Sequence, residues 1–171
     1  MKISILIPTR LRSTRLAKLI DNIYETCKYK NEIEVLFLIE ESDEESIKFS
    51  QECVKANVKW YRCNRAADNI IYSNLANSLY KHATGDIILL GADDILFHCQ
   101  NWDSLVIDYF DNCPDKILLL GPKDGIQNGV LAPHFFLHRN WIDTLGYVQP
   151  PYFNAFVSKN TQLILDDRPI N

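Results

Sequence analysis

Asp93 and Asp94 stand side by side, separated by Gly91 and Ala92 from the apolar run Ile87-Ile88-Leu89-Leu90. Two neighbouring carboxylates beside a buried strand repel one another unless a cation neutralises them. An oxygen-only pair suits a hard divalent ion. Mg²⁺ and Mn²⁺ take oxygen ligands and commonly share one or two protein carboxylates with substrate phosphates, so no His or Cys need stand nearby. The natural partner is then a nucleoside diphosphate, although an Asp pair also suits a turn or a helix N-cap. Arg10, Arg12 and Arg15 follow the first apolar run and can steer a diphosphate, or simply decorate a solvated helix start. Glu40, Glu41, Asp43, Glu44 and Glu45 form an acidic cluster, where negative charge favours a helix N-terminus and a solvated first turn is the ordinary reading. Trp102-Asp103 and Tyr152-Phe153 can line a sugar-binding groove or pack in a core.

The elements that must position these residues follow from hydrophobic periodicity. Residues 2–7 are a β-branched and aliphatic run closed by Pro8, which predicts a buried strand ending in a loop at 9–14. Residues 15–29 carry Leu16, Leu19, Ile20, Ile23 and Cys27 at helical spacing, with Ser13 or Thr14 as N-cap. A nearly all-apolar strand follows at 34–39, then a helix to about residue 56, a strand at 58–63 and a helix at 70–82. Further on, the pattern predicts strands at 86–90, 116–121 and 135–137 and helices at 102–112 and 141–145, with a Gly-bearing loop at 124–129. Strands alternating with helices imply an open α/β sheet, because parallel neighbours need helical crossovers. Ligands in such sheets sit beyond the carboxyl ends of the strands, which places Thr9-Arg10, Glu40-Glu41, Arg65 and Asp93-Asp94 on one rim.

With 171 residues and 47% hydrophobic side chains, the chain fits one domain, 1–171. A net charge of −4 argues against broad binding to nucleic acid or anionic lipid. No apolar stretch approaches the roughly 20 residues of a membrane span, and residues 3–7 are too short for a signal-peptide core. A cytoplasmic location is the expectation. The five cysteines lack C-x-x-C spacing and read as reduced thiols.

Three segments resemble the family 2 inverting glycosyltransferases of GT-A fold over about residues 3–150: Ile3-Ser-Ile-Leu-Ile-Pro-Thr9, Leu36-Phe-Leu-Ile-Glu-Glu41-Ser, and the long stretch from Asn77 through Ala83-Thr-Gly85-Asp to Asp93-Asp94. The resemblance implies a Rossmann-like, mainly parallel sheet with helices on both faces, 1–94 forming the nucleotide-sugar half and 95–171 a short acceptor half. It places Thr9 and Asn77 on the donor side, Glu41 at the base or ribose, Arg65 facing the nucleotide, Asp93 against ribose and phosphate, and Asp94 on Mn²⁺ or Mg²⁺. His134 and His138, flanking Phe135-Phe136-Leu137, become additional metal ligands by the same resemblance or are structural residues. Gly91 stands where many members have the first Asp of the metal motif, so by the resemblance the metal rests on Asp93 and Asp94 together.

Inverting transfer also needs a general base, usually Asp or Glu, to take the acceptor hydroxyl's proton. Where the resemblance expects it, this chain has the amides Asn160 and Gln162, leaving Asp143, Asp166 and Asp167 as substitutes. The implied activity is metal-dependent transfer of a sugar from a UDP, GDP or TDP donor to a glycan or other hydroxyl acceptor. A nucleotide-sugar binding module that needs a partner chain is the alternative, motivated by those amides and by the end of the sequence at Asn171. A nucleotidyltransferase would carry glycine in the loop after the first strand, and Pro8-Thr-Arg-Leu-Arg-Ser-Thr14 has none.

Overall fold

The computed structural model describes residues 1–64, 72–122 and 132–150. In chain order the elements are β1 (Ile3–Thr9), α1 (Ser13–Thr26), β2 (Ile33–Glu40), α2 (Glu44–Glu52), β3 (Val58–Cys63), α3 (Tyr72–Tyr80), β4 (Ile87–Leu90), α4 (Trp102–Asp111), β5 (Leu119–Leu120), β6 (Phe135–His138) and α5 (Arg139–Leu145). The strands form one six-stranded sheet ordered β3-β2-β1-β4-β6-β5. The pairs β1–β2, β2–β3 and β1–β4 are parallel, whereas β6 runs antiparallel to both β4 and β5.

The continuous apolar strands arise because both faces are covered. Ile3, Ile5 and Ile7 join Val35, Phe37 and Leu89 in a core with Leu16, Leu19, Ile20 and Ile23 of α1 and Trp102, Val106 and Phe110 of α4. The alternate side chains, Leu6, Leu36, Leu38, Ile88 and Leu90, pack with Leu75, Ala76 and Leu79 of α3 and Ile142 of α5. Period-2 alternation sends successive side chains to opposite faces, so a run without polar interruption is what two covered faces require.

Several boundaries differ from those expected, each for a local reason. The strand expected to close at Pro8 continues to Thr9. Leu6 accepts its bond from the Gly91 N–H, so the backbone groups of even-numbered residues here point toward β4; the missing N–H of Pro8 therefore faces the side where the β4 ladder has ended. Helix α1 begins at Ser13 with Arg12 as N-cap, while the Ser13 hydroxyl bonds Glu45 instead of capping. It stops at Thr26 and does not reach residue 29, because the Lys28 and Tyr29 amides both donate to the buried Asp103 carboxylate at 2.7 Å. Strand β5 is shortened because Lys116 has φ of 58° and Asp115 accepts from the Ile117 amide, a turn that delays pairing.

Trp102 and Asp103 belong to this framework. Trp102 stacks on Phe97 and donates to Thr26, and Asp103 is fully buried, so neither lines a groove.

A second buried acid fastens the amino ends of the parallel strands. Glu34 is 1% exposed and accepts from Ser4 Oγ at 2.6 Å, the Thr84 amide at 2.6 Å and Lys59 Nζ at 2.8 Å, with Lys2 at 3.2 Å. Ser4 Oγ in turn accepts from the Gly85 amide. A Cβ at Gly85 would come within 2.6 Å of Ser4 Oγ and 2.7 Å of the Ser4 nitrogen, so this close strand approach needs glycine. Burial alone would raise the Glu34 carboxyl, but the donors from Lys59, Ser4 and Thr84 outweigh it and hold the group at about 2. A depressed carboxylate contributes stability above its unfolded value, lost as pH falls toward the folded one. Glu34→Gln is therefore expected to cost about 3 kcal/mol near neutral pH, as for one partner removed from a buried pair. In urea unfolding followed against pH, the gap between wild type and variant should narrow from about pH 4.5 down to 2. A gap constant over that range would contradict this role.

Candidate functional site

The carboxyl ends of β1, β2, β3 and β4 open onto a cleft of about 350 Å³, lined among others by Thr9, Arg10, Arg12, Glu40, Cys63, Tyr72, Asp93 and Asp94. The backbone ladder between β1 and β4 ends at Leu6 and Gly91. Beyond it the strands stay joined by a side-chain bond, in which buried Thr9 donates through Oγ1 to Asp93 Oδ2 at 2.7 Å. Arg12 takes the other oxygen, with Nη1 at 2.5 Å from Asp93 Oδ1 and 3.2 Å from Asp94 Oδ2. Arg15 approaches Asp94 only to 4.0 Å. Asp93 is buried whereas Asp94 is 46% exposed, so the pair presents one anchored carboxylate and one at the rim. The hydrogen bond and charge of Asp93, joined by the charge of Asp94, raise the pKa of the Arg12 guanidinium.

On the opposite wall, Arg10 Nε lies 2.6 Å from Glu40 Oε2. Both arginines come from the short link between β1 and α1, and Leu11 between them has φ of 53°, a left-handed conformation costing a leucine about 1–2 kcal/mol. Asp43 holds that turn in place. Its Oδ2 accepts from the Leu11 amide at 2.6 Å and its Oδ1 from the Ser46 amide at 3.2 Å, so one carboxylate caps α2 and fastens the arginine link. Burial would raise the Asp43 pKa, but the bonds from Ser46 and Leu11 bring it below the ordinary value. At 1% exposure Asp43 is not part of a solvated turn, nor is Glu40 at 7%.

The residues expected on the rim divide. Thr9, Arg10, Asp93 and Asp94 meet in the cleft, while Glu41 is exposed and it is Glu40 that lines the wall. The Asn77 side chain is occupied with backbone, accepting from the Val148 and Gln149 amides and donating to the Gln149 carbonyl; it braces the chain after α5 and does not line the cleft. Asp143 accepts from Tyr80 Oη at 2.5 Å, beside Arg139, which stacks over the Tyr80 ring. His138 sits opposite Ile87, whereas Leu90 faces Phe135, so about 10 Å of strand separates His138 from the end of β4 that leads to Asp93. It accepts from the Asn140 amide as N-cap of α5, and burial lowers its pKa. His134 precedes β6 at the Phe135 end and is not among the cleft-lining residues. Arg65, Asp166, Asp167, Asn160, Gln162, Tyr152 and Phe153 lie outside the described residues.

Tyr72 was not anticipated in the site. Its hydroxyl donates to the Gly91 carbonyl at 2.9 Å, and burial, with the charges of Asp93 and Asp94, raises its pKa. The available signal was its place one turn before Leu75 at the cleft end of α3. Gly91 has its Cβ direction toward Ile5, Ile7 and Ile95, so a carboxylate there would enter the core and not the cleft.

Among the described residues no group of three or more His, Cys, Asp or Glu side chains could enclose a metal. The donor set nevertheless fits a hard divalent cation of the type that completes its shell with water and substrate phosphate: two oxygen-only carboxylates, one at the rim, whose two negative charges are only half offset by the Arg12 guanidinium.

No protein-family model matches the chain, and no curated protein matches it by sequence. Solved structures do match its fold. S. aureus TarS residues 1–349 in complex with UDP superposes with a TM-score of 0.72 at 15% identity, over 94% of this chain and 53% of that one. The mannosyltransferase PcManGT of Pyrobaculum calidifontis, in complex with GDP-Man and Mn²⁺, gives 0.68 at 15% identity over 85% and 47%. TarS 1–349 with UDP-GlcNAc gives 0.62 at 14% identity over 86% and 48%. The fold is thus GT-A-like, a mostly parallel six-stranded sheet with helices on both faces, and the chain spans about half the length of these structures.

Asp43→Ala is expected to destabilise the protein by about 1–3 kcal/mol through loss of a cap and a buried acceptor. Hydrogen exchange should accelerate at both the Leu11 and Ser46 amides. Unchanged protection at Leu11 would show that the arginine link is held by other means.

Proposed function

We propose that this chain binds a nucleoside-diphosphate sugar in the cleft and transfers the sugar, with inversion, to an acceptor hydroxyl. The observation that carries the reading is Thr9, Arg12, Asp93 and Asp94 meeting at the carboxyl rim of a GT-A-like sheet, where open α/β sheets bind ligands. Structures sharing the fold were obtained with GDP-Man and Mn²⁺, with UDP and with UDP-GlcNAc, which supports a nucleotide-sugar donor. Asp93 and Asp94 would hold Mn²⁺ or Mg²⁺ together, Asp94 from the rim and Asp93, anchored by Thr9, on the side of ribose and phosphate. The ion would offset charge developing on the leaving diphosphate. Glu40 takes the place assigned to Glu41 as the acid of the second strand, facing base or ribose. In this reading residues 1–94 form the donor half and 95–171 the acceptor half, in a cytoplasmic protein. Among the described residues no helix is long and apolar enough to cross a membrane.

A binding module that relies on a partner chain for its base is the second reading. It is favoured by the state of the described carboxylates: Glu40, Asp93 and Asp94 each face an arginine, and Asp143 is tied to Tyr80. Proton abstraction needs a base within reach of the acceptor hydroxyl.

The deciding experiment is calorimetric titration of UDP, GDP and TDP with and without Mn²⁺, repeated on Asp94→Ala. Binding that requires Mn²⁺ and weakens about 100-fold or more in the variant is expected, in line with loss of a metal ligand. Absence of binding by all three nucleotides would refute both readings. Where a nucleotide binds, sugar transfer by the isolated chain decides between them.

A further inference from the structure

We propose that Arg12 is a displaceable internal cation: in the ligand-free protein it holds the place of the divalent ion between Asp93 and Asp94, and it passes to the donor's diphosphate when the ion enters. The inference rests on the nucleotide-sugar reading and adds a prediction about the order and interdependence of binding.

Among the described residues one guanidinium bridges the two carboxylates, its Nη1 contacting Asp93 at 2.5 Å and Asp94 at 3.2 Å. The other described arginines of the cleft are committed or more distant. Arg10 is drawn to Glu40 at 2.6 Å, and Arg15 reaches Asp94 only at 4.0 Å. Thr9 holds Asp93 through its second oxygen, so Asp93 stays oriented when Arg12 leaves. Arg12 is free to leave: its side chain is 46% exposed, and as N-cap it contributes its carbonyl to α1 while its side chain caps nothing. A planar guanidinium suits phosphate as well as carboxylate, since both accept a paired set of N–H donors.

Charge then couples the two ligands. A divalent ion arriving alone must displace Arg12 and leave its charge without a partner. A diphosphate arriving alone meets two carboxylates. Arriving together, the ion takes the carboxylates and Arg12 takes the phosphates, so each ligand favours the other. Such coupling is reciprocal and typically amounts to about 5–150-fold in affinity.

The test measures Mn²⁺ alone by electron paramagnetic resonance, and then whichever of UDP, GDP and TDP binds, with and without Mn²⁺. Wild type, Arg12→Gln, Arg12→Lys and Lys18→Gln are compared. Arg12→Gln should bind Mn²⁺ alone about 10-fold more tightly than wild type and the nucleotide with Mn²⁺ about 10-fold more weakly, collapsing the interdependence toward unity. Arg12→Lys should keep part of the competition because it keeps the charge, and Lys18→Gln, on the exposed face of α1 away from the cleft lining, should stay within about 2-fold of wild type. Equal Mn²⁺ affinity in wild type and Arg12→Gln, alongside nucleotide binding that still needs Mn²⁺, overturns this role for Arg12 while leaving the donor site standing. Nucleotide binding indifferent to Mn²⁺ overturns it too. Failure of wild type to bind any of the three nucleotides removes the donor site itself.

Discussion

The architecture depends on a carboxylate that should not, by its burial, be there. Glu34 lies at the start of a central strand at 1% exposure and stays ionised because Ser4, Thr84 and two lysines converge on it. Through Ser4 and Thr84 it ties β2 to β1 and to the segment that leads into β4, and the ring closes where Gly85 donates to Ser4. Three parallel strands are thereby set in register at their amino ends. At the opposite end β1 and β2 stay paired to Thr9 and Ile39 while β4 parts from β1 beyond Leu6 and Gly91, at the edge of the cleft.

The cleft is organised by one short link and not by the strands alone. Two arginines separated by a residue in the left-handed region reach opposite walls, one toward Glu40 and the other toward Asp93 and Asp94. The backbone strain at Leu11 is offset by a charged acceptor, Asp43, which also caps α2. A cleft wall of alternating charge thus hangs on an acid that is not among its lining residues. The order is framework acid, link, arginines and finally rim carboxylates, and each step positions the next.

Much of this was legible in the chain, because unbroken apolar strands and helical spacings are direct consequences of burial. The carboxyl-end rule placed Thr9, Arg10 and Asp93-Asp94 correctly in one cleft. What was not legible turned on single-residue geometry. Whether Glu40 or Glu41 faces the cleft is decided by strand alternation, and a shift of one residue exchanges the faces. Which arginine reaches the aspartates depends on the positive φ of Leu11, which no local pattern signals in a leucine. Asn77, Asp103 and Asp143 carry chemistry-bearing side chains but spend them on long-range bonds to backbone or to Tyr80, partners that sequence spacing does not reveal. The antiparallel turn of β6 beside β4 likewise depends on a connection that periodicity leaves open.

Pro8 shows how an opening can be maintained by an atom that is missing. Its ring nitrogen faces the flank from which β4 has departed. Any other residue there would offer a hydrogen-bond donor, and a neighbouring chain could pair with it and extend the sheet by another rung. Proline withholds that invitation. The mouth of the cleft is in this sense protected against the sheet's own tendency to zip shut.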